Sequence, residues 1–149
     1  MGVGLALAAK KKNKKHMIYV LLGNGECNEG SVWEAIMSAK SFKLDNLIAI
    51  VDNNGFQNEI DPSETIMDSE EFEDKWESFG WNVRSVDGHN ISDLYSAFVE
   101  YNVENKPKVV IAHTIKGKGV SFMENNNEWH HNRLTETYYN LALQEMGEI

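Results

Sequence analysis

Two short polar clusters carry the residues of this chain best suited to chemistry: Gly23-Asn24-Gly25-Glu26 and Asp52-Asn53-Asn54. Each follows an apolar run of strand character, and an amphipathic stretch separates them. Glycines after a strand let the backbone turn sharply and approach a ligand with no Cβ in the way. A helix that follows such a turn aims its free N–H groups and positive dipole end at the same spot. Gly23 and Gly25 therefore outline a diphosphate site. Asp52, Asn53 and Asn54 offer oxygen atoms suited to a hard cation such as magnesium, which favours octahedral oxygen coordination and binds phosphates as well. Two ordinary turns would use the same residue types, since Asn and Gly both tolerate left-handed conformations. Taken by themselves, the clusters leave both readings open.

The elements that must position them follow from hydrophobic patterning. Apolar runs predict strands at Met17–Leu22, Leu47–Val51, Val83–Val86 and Lys108–His113. Ile, Val and Leu dominate three of these, as in strands buried on both faces. Helical patterns fall at about Glu29–Phe42, Glu70–Phe79 and Ile91–Val103, with a terminal helix over Thr135–Met146. Ser69 with Glu70 and Ser92 with Asp93 read as helix N-terminal signals. Strand and helix alternate, which predicts an α/β fold with a mostly parallel sheet flanked by helices, organised as one domain over residues 1–149. In such a sheet both polar clusters emerge at the same edge and converge on one ligand. The opening run Gly2-Val3-Gly4-Leu5-Ala6-Leu7-Ala8-Ala9 reads as a helix of small residues that packs closely on something large, with part of its burial expected from a preceding segment or a partner.

Composition narrows the function classes. The 149 residues, 42% hydrophobic and 25% charged, suit an ordinary globular domain, and a net charge of −9 argues against nucleic acid as the main partner. The basic run of Lys10, Lys11, Lys12, Lys14 and Lys15 reads as a solvated loop, and the acidic run from Asp68 to Glu77 as a solvated helix face. Cys27 is the single cysteine; with no histidine near it in sequence it reads as a small packed residue, and it fits a reducing compartment. No stretch has the roughly 18 consecutive apolar residues of a membrane span and no signal peptide is visible, so a cytoplasmic location is expected.

The flanking residues decide between the two readings of the clusters. With 27 residues between Gly25 and Asn53 (positions 26 to 52), the spacing resembles the thiamine diphosphate motif. Glu29-Gly30-Ser31-Val32-Trp33-Glu34-Ala35 and the run from Lys43 to Asp52 resemble the transketolase family. So do Phe79-Gly80-Trp81, Val86-Asp87-Gly88-His89, Lys116-Gly117-Lys118-Gly119-Val120 and Trp129-His130. The similarity is greatest to the amino-terminal subunit of a split transketolase, in which the diphosphate-binding and pyrimidine-binding domains are separate chains.

That resemblance implies a cofactor, thiamine diphosphate with Mg2+, and a set of roles. Asn24 stands where the family has a metal-binding aspartate, Asn54 matches a second metal ligand, and Phe56 matches a main-chain carbonyl ligand. Gly25, beside Gly23, would lend its N–H to the diphosphate; Lys116 lies at a position beside the cofactor. His130 matches the histidine that reaches both the diphosphate and the reacting end of the substrate, and Glu29 matches a glutamate in a network at the subunit interface. Glu29 also suits a helix N-terminus, and His89 reads as a structural turn residue. Asn24 keeps an oxygen but loses a full negative charge, which implies weaker metal and cofactor affinity. The family also carries a segment upstream of the opening helix and a pyrimidine-binding domain, neither of which matches anything in these residues. The implied activity is two-carbon ketol transfer between sugar phosphates, performed with a pyrimidine-binding partner chain in a homo- or hetero-oligomer. The alternatives are a non-catalytic homologue serving assembly and another thiamine-dependent lyase or synthase.

Overall fold

A computed structural model of the chain describes residues 1–56, 71–100 and 103–147. In chain order the elements are α1 (Gly2–Lys11), β1 (Ile18–Gly23), α2 (Gly30–Ser41), β2 (Leu47–Asn53), α3 (Phe72–Ser78), β3 (Asn82–Asp87), α4 (Ile91–Val99), β4 (Lys108–His113) and α5 (Glu136–Glu145). Two 3-10 turns, Glu26–Asn28 and Asn127–His130, punctuate the loops after β1 and β4. The strands form one sheet in the order β1-β2-β4-β3, and every pairing is parallel. All four carboxyl ends therefore lie along one edge. Gly23 pairs with Asp52, Asn53 with His113, and Asp87 with His113.

Burial follows from this order. The central strands β2 and β4 are the most continuously apolar, and their residues Leu47–Ala49 and Lys108–Ala112 are buried in sequence. On one face Ala49, Val51, Val109 and Ile111 pack with Ala6 of α1, Ile36 and Ala39 of α2, and Phe72 and Trp76 of α3. Trp81 closes this layer: its ring meets Trp76 edge-on at 4.8 Å, and its indole N–H donates to the Ile36 carbonyl at 3.1 Å. On the other face Ile48 and Val110 pack with Ala97 of α4. The opening helix finds support within the chain, where Ala6 and Ala9 are buried and the Asn46 amide donates to the Ala6 carbonyl.

Several sequence expectations change. β1 is an edge strand, and only one of its faces is covered: Tyr19 and Leu21 are 54% and 70% exposed, although their run is as apolar as that of β2. α4 ends at Val99, short of Val103. The buried Lys108 ammonium donates to the carbonyls of Ala97 (3.0 Å) and Glu100 (2.8 Å), and this caps the helix there. The cap at the other end is Asn90, whose Oδ1 accepts from the N–H groups of Ser92 and Asp93; those residues occupy the first turn. Lys10 belongs to the last turn of α1 and pairs with Asp45 at 2.7 Å, so the basic run is only partly a solvated loop. Glu71, Asp74 and Glu77 are exposed as expected, while the half-exposed Glu73 is also tied to the sheet: it accepts from Ser85 Oγ at 2.6 Å and faces His113 Nε2 at 3.3 Å. Burial pushes its carboxyl pKa up, but hydrogen bonds from Ser85, its own backbone N–H and His113 together hold it below the ordinary value. The Ser69–Glu70 signal and Asp68 lie outside the described residues.

Cys27 is fully buried in the turn after β1. Burial, and then the neighbouring Glu26 carboxylate, push its thiol up to about 12. Three measurements check these interior polar groups. Lys108→Met keeps the bulk but strands the Ala97 and Glu100 carbonyls, and it is expected to lower the unfolding free energy by about 2–3 kcal/mol in urea titrations; a loss below about 0.5 kcal/mol would show the clamp to be idle. The folded chain holds the Cys27 proton more tightly than the unfolded chain. The resulting stability is therefore present below pH about 9 and is lost as the pH climbs toward about 12. Cys27→Ala should flatten that alkaline limb, and the native thiol should resist a disulfide-exchange reagent at pH 8 until the protein is unfolded.

Candidate functional site

The site is built where β1, β2 and β4 end together. β1 and β2 are hydrogen-bonded neighbours, and the ladder runs one residue beyond Gly23: the Asn24 N–H donates to the Asp52 carbonyl at 3.1 Å. Asn24 is 1% exposed, and its Nδ2 has no partner among the described residues. A buried amide of this kind ordinarily finds a partner.

The glycine turn departs from expectation in two respects. Neither Gly23 nor Gly25 has a positive φ; Gly25 is right-handed helical at −63°, −39°. The turn therefore needs no left-handed freedom at these positions. Gly23 supplies room instead, since a Cβ built there would meet nothing within 4 Å. The helix does not follow directly either. The 3-10 turn comes first, drawn down by buried Cys27 and closed by Asn28 N–H on the Gly25 carbonyl at 3.1 Å; α2 starts at Gly30. The Glu26 carboxylate folds back to accept from the Gly23 N–H at 3.3 Å.

The second cluster is organised by Asp52. Its Oδ1 accepts from the Thr114 hydroxyl and its Oδ2 from Asn54 Nδ2 at 3.1 Å. Asn54 Oδ1 in turn accepts the Phe56 N–H at 2.9 Å. This Asx-type turn passes through Gly55, whose φ of +77° is the left-handed value that favours glycine. Asn24, Asn54 and Phe56 are thus joined through Asp52.

The loop after β4 is fastened to the same place. Thr114 N–H donates to the Asn53 carbonyl at 3.1 Å. His89 links the β3 and β4 ends: its Nε2 accepts the Ile115 N–H at 2.7 Å. Gly88 lets the β3 end approach, because a Cβ there would overlap Thr114. Half-buried Lys116 follows, with its carbonyl accepting from Asn125 N–H and with no ion pair among the described residues. Glu29 stands apart: it occupies the N-cap position of α2 without a side-chain capping bond, is exposed, and its carboxylate approaches Ser31 Oγ at 3.5 Å. His130 lies on the second 3-10 turn, capped by Asn126, with its ring edge-on to His131 at 4.6 Å. The preceding Trp129 is anchored between Phe122 and Tyr138, each at 5.0 Å.

The residues linked here carry hard atoms, amide and main-chain carbonyl oxygens and one carboxylate, and no group of three or more His, Cys, Asp or Glu converges among the described residues. Such a set suits magnesium rather than a thiolate- or imidazole-bound metal. An Asn24 Nδ2 with no partner among the described residues and the open space at Gly23 fit a ligand rich in hydrogen-bond acceptors such as a diphosphate. Thr114 had no signature of its own: a threonine after a strand is common, and its contact with Asp52 spans 62 positions.

Comparison with known proteins assigns the family. Residues 6–147 match the family model described as transketolase, thiamine diphosphate binding domain. The chain is 42% identical over 149 residues to an apulose-4-phosphate transketolase subunit of Phocaeicola vulgatus, covering 99% of this chain and 53% of that protein. It is 41% identical to the 6-deoxy-6-sulfo-D-fructose transketolase subunit SqwG of a Clostridium species, covering 97% and 52%. It therefore spans about half the length of these relatives. Among solved structures, the transketolase of Campylobacter jejuni superimposes with a TM-score of 0.88 at 31% identity, covering 98% of this chain and 24% of that one. The chain belongs to the transketolase family and corresponds to its thiamine diphosphate binding domain.

Proposed function

We propose that this chain binds thiamine diphosphate and Mg2+ at the carboxyl ends of β1, β2 and β4, and that it supports two-carbon ketol transfer between sugar phosphates together with a pyrimidine-binding partner chain. The observation that carries this reading is the Asn24 N–H to Asp52 carbonyl bond, which brings the glycine turn and the Asn54 loop side by side. In this reading the Asn24 and Asn54 amide oxygens and the Phe56 carbonyl hold the metal. The backbone at Gly23 and Gly25 lies against the diphosphate, and Lys116 adds positive charge beside it. His130 orients the reacting end of the substrate, and Glu29 serves the contact between subunits. The bound cofactor would supply an electron sink for cleaving a carbon–carbon bond beside a carbonyl. Two relatives are named as transketolase subunits, which supports an enzyme of more than one chain. Among the described residues no helix is long and apolar enough to cross a membrane; with one free buried cysteine, the working compartment is proposed to be the cytoplasm.

Asn24 sets the expected strength. A neutral amide contributes less to a cation than a carboxylate does. Titration calorimetry with thiamine diphosphate and Mg2+ should therefore give measurable binding by the native chain and about tenfold tighter binding by Asn24→Asp, equivalent to about 1.4 kcal/mol. Equal affinities would remove Asn24 from the metal set. A ketol-transfer assay should show activity only when the partner chain is added, and an inactive mixture would favour a non-catalytic assembly role.

A further inference from the structure

The carboxylate at the centre of the strand-end cluster has no role in the reading above, yet its residue touches all three loops. Asp52 accepts the Asn24 N–H with its carbonyl, the Thr114 hydroxyl with Oδ1 and Asn54 Nδ2 with Oδ2. We infer that Asp52 is a positioning residue that fixes the orientation of the Asn54 amide, keeping its oxygen on the side of residues 55 and 56 for a divalent cation. This rests on the proposed role of Asn54 as a metal ligand.

The argument is one of donors and acceptors. An ionised carboxylate only accepts, and a backbone N–H only donates. With Nδ2 on Asp52 and Oδ1 on the Phe56 N–H, both contacts of the Asn54 amide are matched. Rotating the amide by half a turn would set its oxygen against the Asp52 carboxylate and its NH2 against the Phe56 N–H, mismatching both at once. The Phe56 N–H occupies one lone pair of Oδ1, and among the described residues no second donor is recorded for the other. The Thr114 hydroxyl, by holding Oδ1, keeps the Asp52 carboxylate turned so that Oδ2 faces Asn54, while Thr114 N–H holds the adjoining Asn53 carbonyl. Outer-shell groups that orient a metal ligand commonly change metal affinity by about 10- to 100-fold.

A double-mutant cycle on the full chain separates orientation from general support. Asp52→Asn, Asn54→Asp and the pair are compared by Mg2+ titration in the presence of thiamine diphosphate, and by metal-free thermal melting. Asp52→Asn should weaken Mg2+ binding about tenfold beside Asn54 while the metal-free melting temperature changes little. Beside Asn54→Asp the two carboxylate oxygens are equivalent and no orientation is needed. There, removing the Asp52 charge should weaken binding distinctly less than it does beside Asn54, since only the loss of charge and not of orientation remains. Equal weakening in both backgrounds, or no change in either, would overturn the inference. Thr114→Val provides a milder probe should Asp52→Asn fail to fold. It should weaken binding about threefold beside Asn54 and not beside Asn54→Asp; equal effects in both backgrounds would again overturn it. Asn54→Ala distinguishes the two levels: unchanged Mg2+ binding in that variant removes Asn54 from the metal set and the inference with it. Loss of binding there, with Asp52 variants that do not depend on residue 54, removes only the inference.

Discussion

Adjacent parallel strands that end in step impose the main constraint on this molecule. The pairing of Gly23 with Asp52 is the last rung between β1 and β2, and the Asn24 N–H adds one bond to the same strand's carbonyls. Neighbouring strands lie about 4.8 Å apart, so residues leaving the two ends start within reach of a single ion or phosphate. No side chain needs to span a gap. The insertion of β4 beside β2 extends the same geometry to a third loop, where Thr114 reaches back to Asp52. The polar cluster is thus a continuation of the backbone ladder, and its precision derives from the rigidity of the sheet beneath it.

That rigidity depends on how the interior treats its polar atoms. β2 and β4 are covered on both faces, which leaves Lys108 inside; its ammonium is satisfied by two carbonyls at the end of α4. Trp81 donates to α2 and so fastens helix to sheet. Toward the carboxyl edge the apolar side chains give way to Asp52, Asn53, Asp87 and His113, and the helices no longer cover the strands completely. Polar groups at this edge can meet a ligand without the full cost of burial. Asn24 is the exception. It is buried like a core residue, and its Nδ2 has no partner among the described residues. An amide there avoids burying an uncompensated carboxylate.

Much of the fold was legible because its signals are local. The runs at Leu47–Val51 and Lys108–His113 are apolar enough to demand a buried strand, and the alternation with helical patterns demands parallel pairing. The boundaries were less secure wherever a distant group decided them. The end of α4 depends on Lys108 and its start on Asn90, a residue whose preference for turns masks its capping role. β1 reads as a buried strand and is an edge strand, since composition records apolarity and not which neighbour covers it. Glu73 reads as one of several solvent-facing acids until Ser85 and His113 are brought against it.

Residue types and their spacing were enough to set the atoms available: two polar clusters, each behind a strand, rich in amide and carbonyl oxygen, in a family recognisable from their flanks. Which of those atoms meet was settled by packing. The strand order β1-β2-β4-β3, the 3-10 turn between Gly25 and α2, and the place of Asp52 between Asn54 and Thr114 depend on contacts across as many as 62 positions. Hydrogen bonds act over about 3 Å, so these partners are chosen by the assembly of the sheet and are not written in any local run of residues.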